Sequence, residues 1–214
     1  MVEIPKEILK IVAFGDSITE AVVGLNLEQK WTTLLEKKLN SHSKGICWMV
    51  VNSGIGGNTS REGLARIEKD VMANKPDIVL VEFGGNDATN DPDRAVSIEE
   101  FNRNMGKMYE KIMSANAQMV LLTFTPVVDD WHCIGKHEKY AACGGLDHFV
   151  EFYRQATREF ANEKSLKLID IDAVLRKAYI THSQDQIILK DGVHLTAKAN
   201  EIVAETIYDC LMGI

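Results

Sequence analysis

Residues 11–19 read Ile11-Val12-Ala13-Phe14-Gly15-Asp16-Ser17-Ile18-Thr19, four apolar residues closed by a glycine and a largely polar turn. A run this short and this uniformly apolar fits a strand covered on both faces, not the alternating pattern of a half-exposed one. Similar runs recur at Trp48–Asn52, Ile78–Phe83, Met119–Phe124 and Leu168–Ile171. Between and after them lie stretches with helical spacing: Lys30–Leu39, Thr59–Ala73, Ile98–Ala115, Phe149–Glu163 and a last one from about Thr196 to Met212. In that last stretch Ala199, Ile202, Val203, Ile207 and Leu211 share a face. Strand and helix in alternation predict βα units laid into a five-stranded parallel sheet, hence an α/β fold.

The chain has 214 residues, 45% of them hydrophobic and 26% charged, which is the balance of a globular protein with a real core. No linker, repeat or shift in composition divides it, so residues 1–214 are read as a single domain. A net charge of −7 without clustered Lys and Arg argues against nucleic acid as a partner. No segment has the length of a membrane span, and the opening MVEIPKEILK has no apolar core of a signal peptide, so a cytoplasmic protein is expected. Four scattered cysteines, Cys47, Cys133, Cys143 and Cys210, make no disulfide framework and are read as reduced.

Four loops carry residues with chemistry. Ser17 follows the first strand; a serine there is commonly a helix cap, and the elbow G-x-S-x-G is absent because Thr19 stands at its second glycine. The second strand leads into Asn52-Ser53-Gly54-Ile55-Gly56-Gly57-Asn58-Thr59, whose glycines let the backbone turn tightly and present N–H groups to an anion. This loop matches neither G-x-G-x-x-G nor a P-loop. The third strand ends in Glu82-Phe83-Gly84-Gly85-Asn86-Asp87. Near the C-terminus, Asp191-Gly192-Val193-His194 places a carboxylate and an imidazole three residues apart, as a serine nucleophile needs: a base for its proton and a partner that orients the base. Neighbouring parallel strands bring such loops to one edge of the sheet.

Together these segments resemble the SGNH hydrolases, the GDSL esterase/lipase family. Gly15-Asp16-Ser17-Ile18 is similar to the first of that family's four blocks, with Ile18 for the usual leucine. Gly57 resembles the glycine of the second, Gly84-Gly85-Asn86-Asp87 the G-x-N-D of the third, and Asp191-Gly192-Val193-His194 the D-x-x-H of the last. The resemblance implies a three-layer α/β/α, flavodoxin-like fold with strand order 2-1-3-4-5. It also implies a serine esterase in which Ser17 is the nucleophile, His194 the base and then acid, and Asp191 the orienting carboxylate. The backbone N–H groups of Ser17 and Gly57 and the side-chain amide of Asn86 would form the oxyanion hole. A small-molecule ester is the expected partner, no cofactor and no metal are required, and short acyl chains such as acetate and butyrate are the expected preference.

The stretch Pro126–His148 has no clear period and is long for a connection, which predicts a structureless functional loop. It supplies candidate substrate contacts: Trp131, Ile134, Tyr140 and Phe149 as walls of an acyl or alcohol site, and Asp129, Asp130, His132 and His137 as groups to bond a sugar or another polar leaving group, so that O-acetylated sugars stand among the expected short- to medium-chain esters. Asp16, Trp131 and Tyr140 are taken as substrate-binding. Cys133, His137, Cys143 and His148 have the donor types of a zinc site, at spacings that match no finger. Alternatives to hydrolysis are acyl transfer by the same triad, a flavodoxin-like nucleotide or phosphate binder using Gly54–Gly57, and a non-enzymatic carbohydrate-binding module.

Overall fold

The computed structural model describes residues 7–43 and 45–213. Part of the N-terminal stretch considered for a signal peptide, residues 1–6, lies outside the described residues. Strand β1 (Glu7–Gly15) is followed by one helical turn, α1 (Ser17–Glu20), and by α2 (Trp31–His42). Then come β2 (Ile46–Gly54), α3 (Ser60–Asp70), β3 (Ile78–Glu82), α4 (Ile98–Ser114) and β4 (Gln118–Leu122). The chain ends with α5 (Glu138–Ala141), α6 (Leu146–Glu163), β5 (Lys167–Ile169), α7 (Ile171–Ala178), α8 (Gln184–Ile187) and α9 (Ala197–Met212).

The five strands are parallel in the order β2-β1-β3-β4-β5. Helix α2 packs with α9, while α3 packs with α4 and α4 with α6, giving the flanking layers of an α/β/α fold. Ile11, Val12, Ala13 and Phe14 are fully buried, as are Val79, Val81, Val120 and Leu121. Central strands therefore read as apolar runs because helices cover both faces. The edge strand β2 departs from that reading: only Trp48 is buried and Met49 is exposed, since an edge strand is paired and covered on fewer sides.

Local chemistry sets the helix starts. Thr59 caps α3, accepting from the Glu62 N–H while the Glu62 carboxylate accepts from the Thr59 N–H at 2.7 Å. Ser97 and Thr196 cap α4 and α9 with their hydroxyls alone, accepting from the Glu100 and Ala199 N–H groups. Four helices, α1, α5, α7 and α8, were not expected, and Ile171, assigned to a strand by its apolar neighbours, opens α7 behind the cap Asp170. The carboxylate of Asp170 accepts from the Ala173 N–H, a local bond that ends the strand early.

Residues 126–148 are also a correction. They form turns and the helix α5, and they are stitched down. The Val127 N–H donates to Asp147 at 2.9 Å, Val128 N–H to the Gly192 carbonyl at 2.8 Å, and Asp147 N–H to Asp129 at 2.8 Å. Behind them the fully buried Arg154 donates to the carbonyls of Phe124 and Thr125 and to the Asp147 carboxylate. Its charge is met by Asp147 at 2.7 Å and Asp172 at 3.3 Å, which makes this ion cluster an anchor for the carboxyl end of β4.

Candidate active site

The carboxyl ends of β1, β2 and β3 and the turn before α9 meet at one cleft of about 440 Å³. Ser17, Gly56, Gly57, Gly85, Asn86 and His194 all line it. Ser17 sits there because Gly15 ends β1 and Asp16 caps α1, accepting from the Ile18 N–H at 2.9 Å. As the first residue of a helical turn, Ser17 has a backbone N–H with no partner among the described residues. The Gly57 N–H is likewise unpaired, in a turn whose φ of +78° is open to glycine. Glu20 holds the adjacent residue by accepting from the Gly56 N–H at 2.7 Å.

Asn86 uses one N–H of its amide to donate to Asp16 at 2.8 Å, which fixes the side chain and leaves a second N–H for the cleft. Asp191 and His194 share their loop: the Asp191 carboxylate accepts from the Val193 and His194 N–H groups, each at 3.0 Å, and lies 2.8 Å from His194 Nδ1. Burial raises the Asp191 pKa, but these donors and the imidazole outweigh it and hold the carboxyl below its ordinary value. An ionised Asp191 keeps the proton on Nδ1, so Nε2 is the basic nitrogen. The site thus combines a hydroxyl, an oriented imidazole and three free N–H donors around one space.

Other expected contacts lie elsewhere. Asp16 is fully buried and not part of the cleft wall; it positions Asn86 from behind. Tyr140 is also fully buried, with its hydroxyl donating to the Ala88 carbonyl at 2.9 Å, so it is core beneath the loop. Trp131 is outside the wall, its ring covered by Lys190 Nζ at 3.8 Å from the centroid. Of the expected contacts, His132 and Ile134 do line the wall, together with Phe124, Val127, Leu146 and Val150, which were not expected there. The zinc set is dispersed into local bonds: His137 Nδ1 accepts from the Lys139 N–H, and the Cys143 thiol donates to the Tyr140 carbonyl. Among the described residues no group of three or more His, Cys, Asp or Glu is placed to hold a metal ion.

Sequence reasoning missed a buried acidic layer under the nucleophile turn. Glu82, at the end of an otherwise apolar strand, accepts from the Thr19 hydroxyl at 3.1 Å. Burial pushes Glu82 well above the usual carboxylate range and Asp16 up to about 6, and the two interact. Asp87 accepts from the Ser60 hydroxyl at 2.5 Å and from its N–H, yet burial still pushes it up to about 7. A charged residue closing an apolar strand was the available signal for Glu82.

The five-stranded parallel sheet and the cleft at its carboxyl edge define an α/β/α protein that gathers a serine, a histidine and an aspartate in one site. Residues 13–202 match the model of the GDSL-like lipase/acylhydrolase family, and the chain belongs to that family. Its relatives include Esterase TesA of Pseudomonas aeruginosa, 36% identical over 112 residues; that match covers 52% of each chain, so only about half the length of TesA is spanned. The uncharacterized lipoprotein YqeF of Bacillus subtilis is 26% identical over 93% of this chain and 88% of its own. The crystal structure of a lipase/acylhydrolase from Enterococcus faecalis superposes with a TM-score of 0.76 at 25% identity, covering 96% of both chains. No helix among the described residues is long and apolar enough to cross a membrane.

Proposed function

We propose that residues 1–214 act as one domain that hydrolyses carboxylic esters of short to medium acyl groups through an acyl-enzyme on Ser17. The observation that carries the reading is the Asp191–His194 pair, 2.8 Å apart, set on the cleft that Ser17 also lines. His194 Nε2 takes the Ser17 proton as Oγ attacks the ester carbonyl carbon. The negative charge passes to the carbonyl oxygen, where the N–H groups of Ser17, Gly57 and Asn86 stabilise it. Collapse breaks the bond to the alcohol oxygen, which takes the proton from His194. Water, deprotonated by the same imidazole, then releases the acid and restores Ser17.

The apolar wall of Phe124, Val127, Leu146 and Val150 supports an acyl site, and a cleft of about 440 Å³ suits a small substrate. A cytoplasmic site of action belongs to the proposal. Its support is that all four cysteines are free, as in a reducing compartment; YqeF is a lipoprotein, so cell fractionation is the test.

Assays of p-nitrophenyl esters from acetate to palmitate on wild-type protein and Ser17→Ala test the reading. Turnover that declines beyond medium chains and vanishes in Ser17→Ala is expected, as is labelling of Ser17 by a fluorophosphonate. Undiminished hydrolysis by Ser17→Ala refutes it.

A further inference from the structure

A second histidine borders the cleft. His132 lies in the turn that follows β4, and its backbone is locked to the loop carrying His194. The His132 N–H donates to the Val128 carbonyl at 3.1 Å, and the Val128 N–H donates to the Gly192 carbonyl at 2.8 Å. At Gly192, with φ of +83°, a Cβ would stand 2.6 Å from the His132 nitrogen. The two loops therefore sit backbone against backbone, and a side chain at residue 192 would force them apart.

The ring itself is oriented. Its Nδ1 accepts from the Ile134 N–H at 3.3 Å, so a neutral imidazole here carries its proton on Nε2. Burial lowers its pKa and the nearby His194 adds to that, with Asp191 opposing, so the ring is uncharged at neutral pH. Nε2 has no partner among the described residues, although the side chain is about half buried and lines the cleft. A half-buried N–H donor without a partner, on a ring that lines a cleft, gains most from a substrate oxygen.

The chemistry says which part of the substrate lies there. His194 must reach the departing alcohol oxygen to protonate it, so the alcohol leaves along the side of the cleft that His194 occupies. His132 stands on that side, beside Gly192, whereas Leu146 and Val150 of α6 offer an apolar surface with no donor to read the acyl chain.

We propose that His132 is a specificity-determining residue whose Nε2–H donates to a hydroxyl on the alcohol portion, so that esters of polyols and sugars are favoured over esters of plain alkanols. This rests on the hydrolase reading above. One hydrogen bond to a neutral oxygen is worth about five- to tenfold in kcat/KM.

The test compares glyceryl monobutyrate with n-propyl butyrate, which share an acyl group and differ in hydroxyls. His132→Asn keeps an acceptor at the position of Nδ1 and removes the distal donor; His132→Gln returns an amide N–H near the position of Nε2. In His132→Asn, kcat/KM for the glyceryl ester is expected to fall about five- to tenfold, mainly through KM, with the propyl ester changed less than about twofold. His132→Gln should recover most of the loss. Equal losses on both esters, which a purely structural role would give, or no loss on either, overturn the proposal. Failure of wild-type protein to turn over both esters, or turnover by Ser17→Ala, sinks the hydrolase reading instead.

Discussion

Replacement of Asp87 by asparagine should flatten the dependence of stability on pH. In the folded chain Asp87 is fully buried, and burial raises its carboxyl from 3.8 to about 7. Between those values the folded protein retains a proton that the unfolded chain has released. Stability from this group is therefore complete below about pH 4 and is lost as pH rises toward 7. Integrating over that rise from pH 5 to pH 8 gives a loss of about 2–3 kcal/mol, an upper value because the folded protein relaxes around the charge. Asparagine has no proton to lose, so the variant lacks this slope. Its amide also disturbs the bonds that Asp87 accepts from the Ser60 N–H and hydroxyl, which offsets its stability by an amount that does not vary with pH. Urea unfolding followed by tryptophan fluorescence, with the buried Trp31 as a reporter, measures both proteins at pH 5 and pH 8. Asp16, raised to about 6, acts in the same direction in both proteins and largely cancels in the comparison. Parallel pH dependences for the two proteins would refute the reasoning, because they would mean that Asp87 is ionised throughout this range.

Three further outcomes follow from the same contacts. Asn86→Ala should lower kcat about a hundredfold or more with KM little changed, since it removes a donor that serves mainly the transition state; stopped-time assays on a p-nitrophenyl ester measure this. Arg154→Met leaves the Phe124 and Thr125 carbonyls without their buried donor, while Asp147 and Asp172 keep Arg176, and should cost about 2–3 kcal/mol in denaturant unfolding. Gly192→Ala should cost about 1–3 kcal/mol and lower activity together with stability, because its Cβ would meet the His132 nitrogen at 2.6 Å and the Val128 carbonyl at 2.7 Å.

The strand assignments show why much of the fold was legible. Ile11–Phe14 and Ile78–Phe83 are apolar at every position save Glu82, because both faces of a central parallel strand are covered, and that property is written residue by residue. Helix starts at Thr59, Ser97 and Thr196 are equally local, since each cap needs only a hydroxyl three residues from the N–H it accepts. Ser17 and Asn86 stood out because glycine turns at strand ends mark the sheet edge in any parallel fold, and Asp191 and His194 because one loop before the last helix carries both a carboxylate and an imidazole. The spacing of Asp191 and His194 lets one loop supply both, while their 2.8 Å contact is set by the turn that the Asp191 carboxylate closes on the Val193 and His194 N–H groups.

Other features had no such local signature. Tyr140 and Trp131 look like substrate walls in a sequence rich in loop residues, yet one reaches the Ala88 carbonyl and the other meets Lys190. Partners 52 or 59 positions apart are chosen by how layers stack, which a periodicity cannot express. The same holds for the acidic layer: Glu82, Asp16 and Asp87 become hard to ionise only once the sheet and α3 exclude water around them. What the chain determined alone was the five strands, the five long helices and the four loops that carry the site residues, because backbone propensity and burial of a strand are short-range properties. Which of those groups face one another across the cleft, and at what protonation, was decided by tertiary packing, because solvent exclusion and the direction of a side chain depend on neighbours far away in sequence.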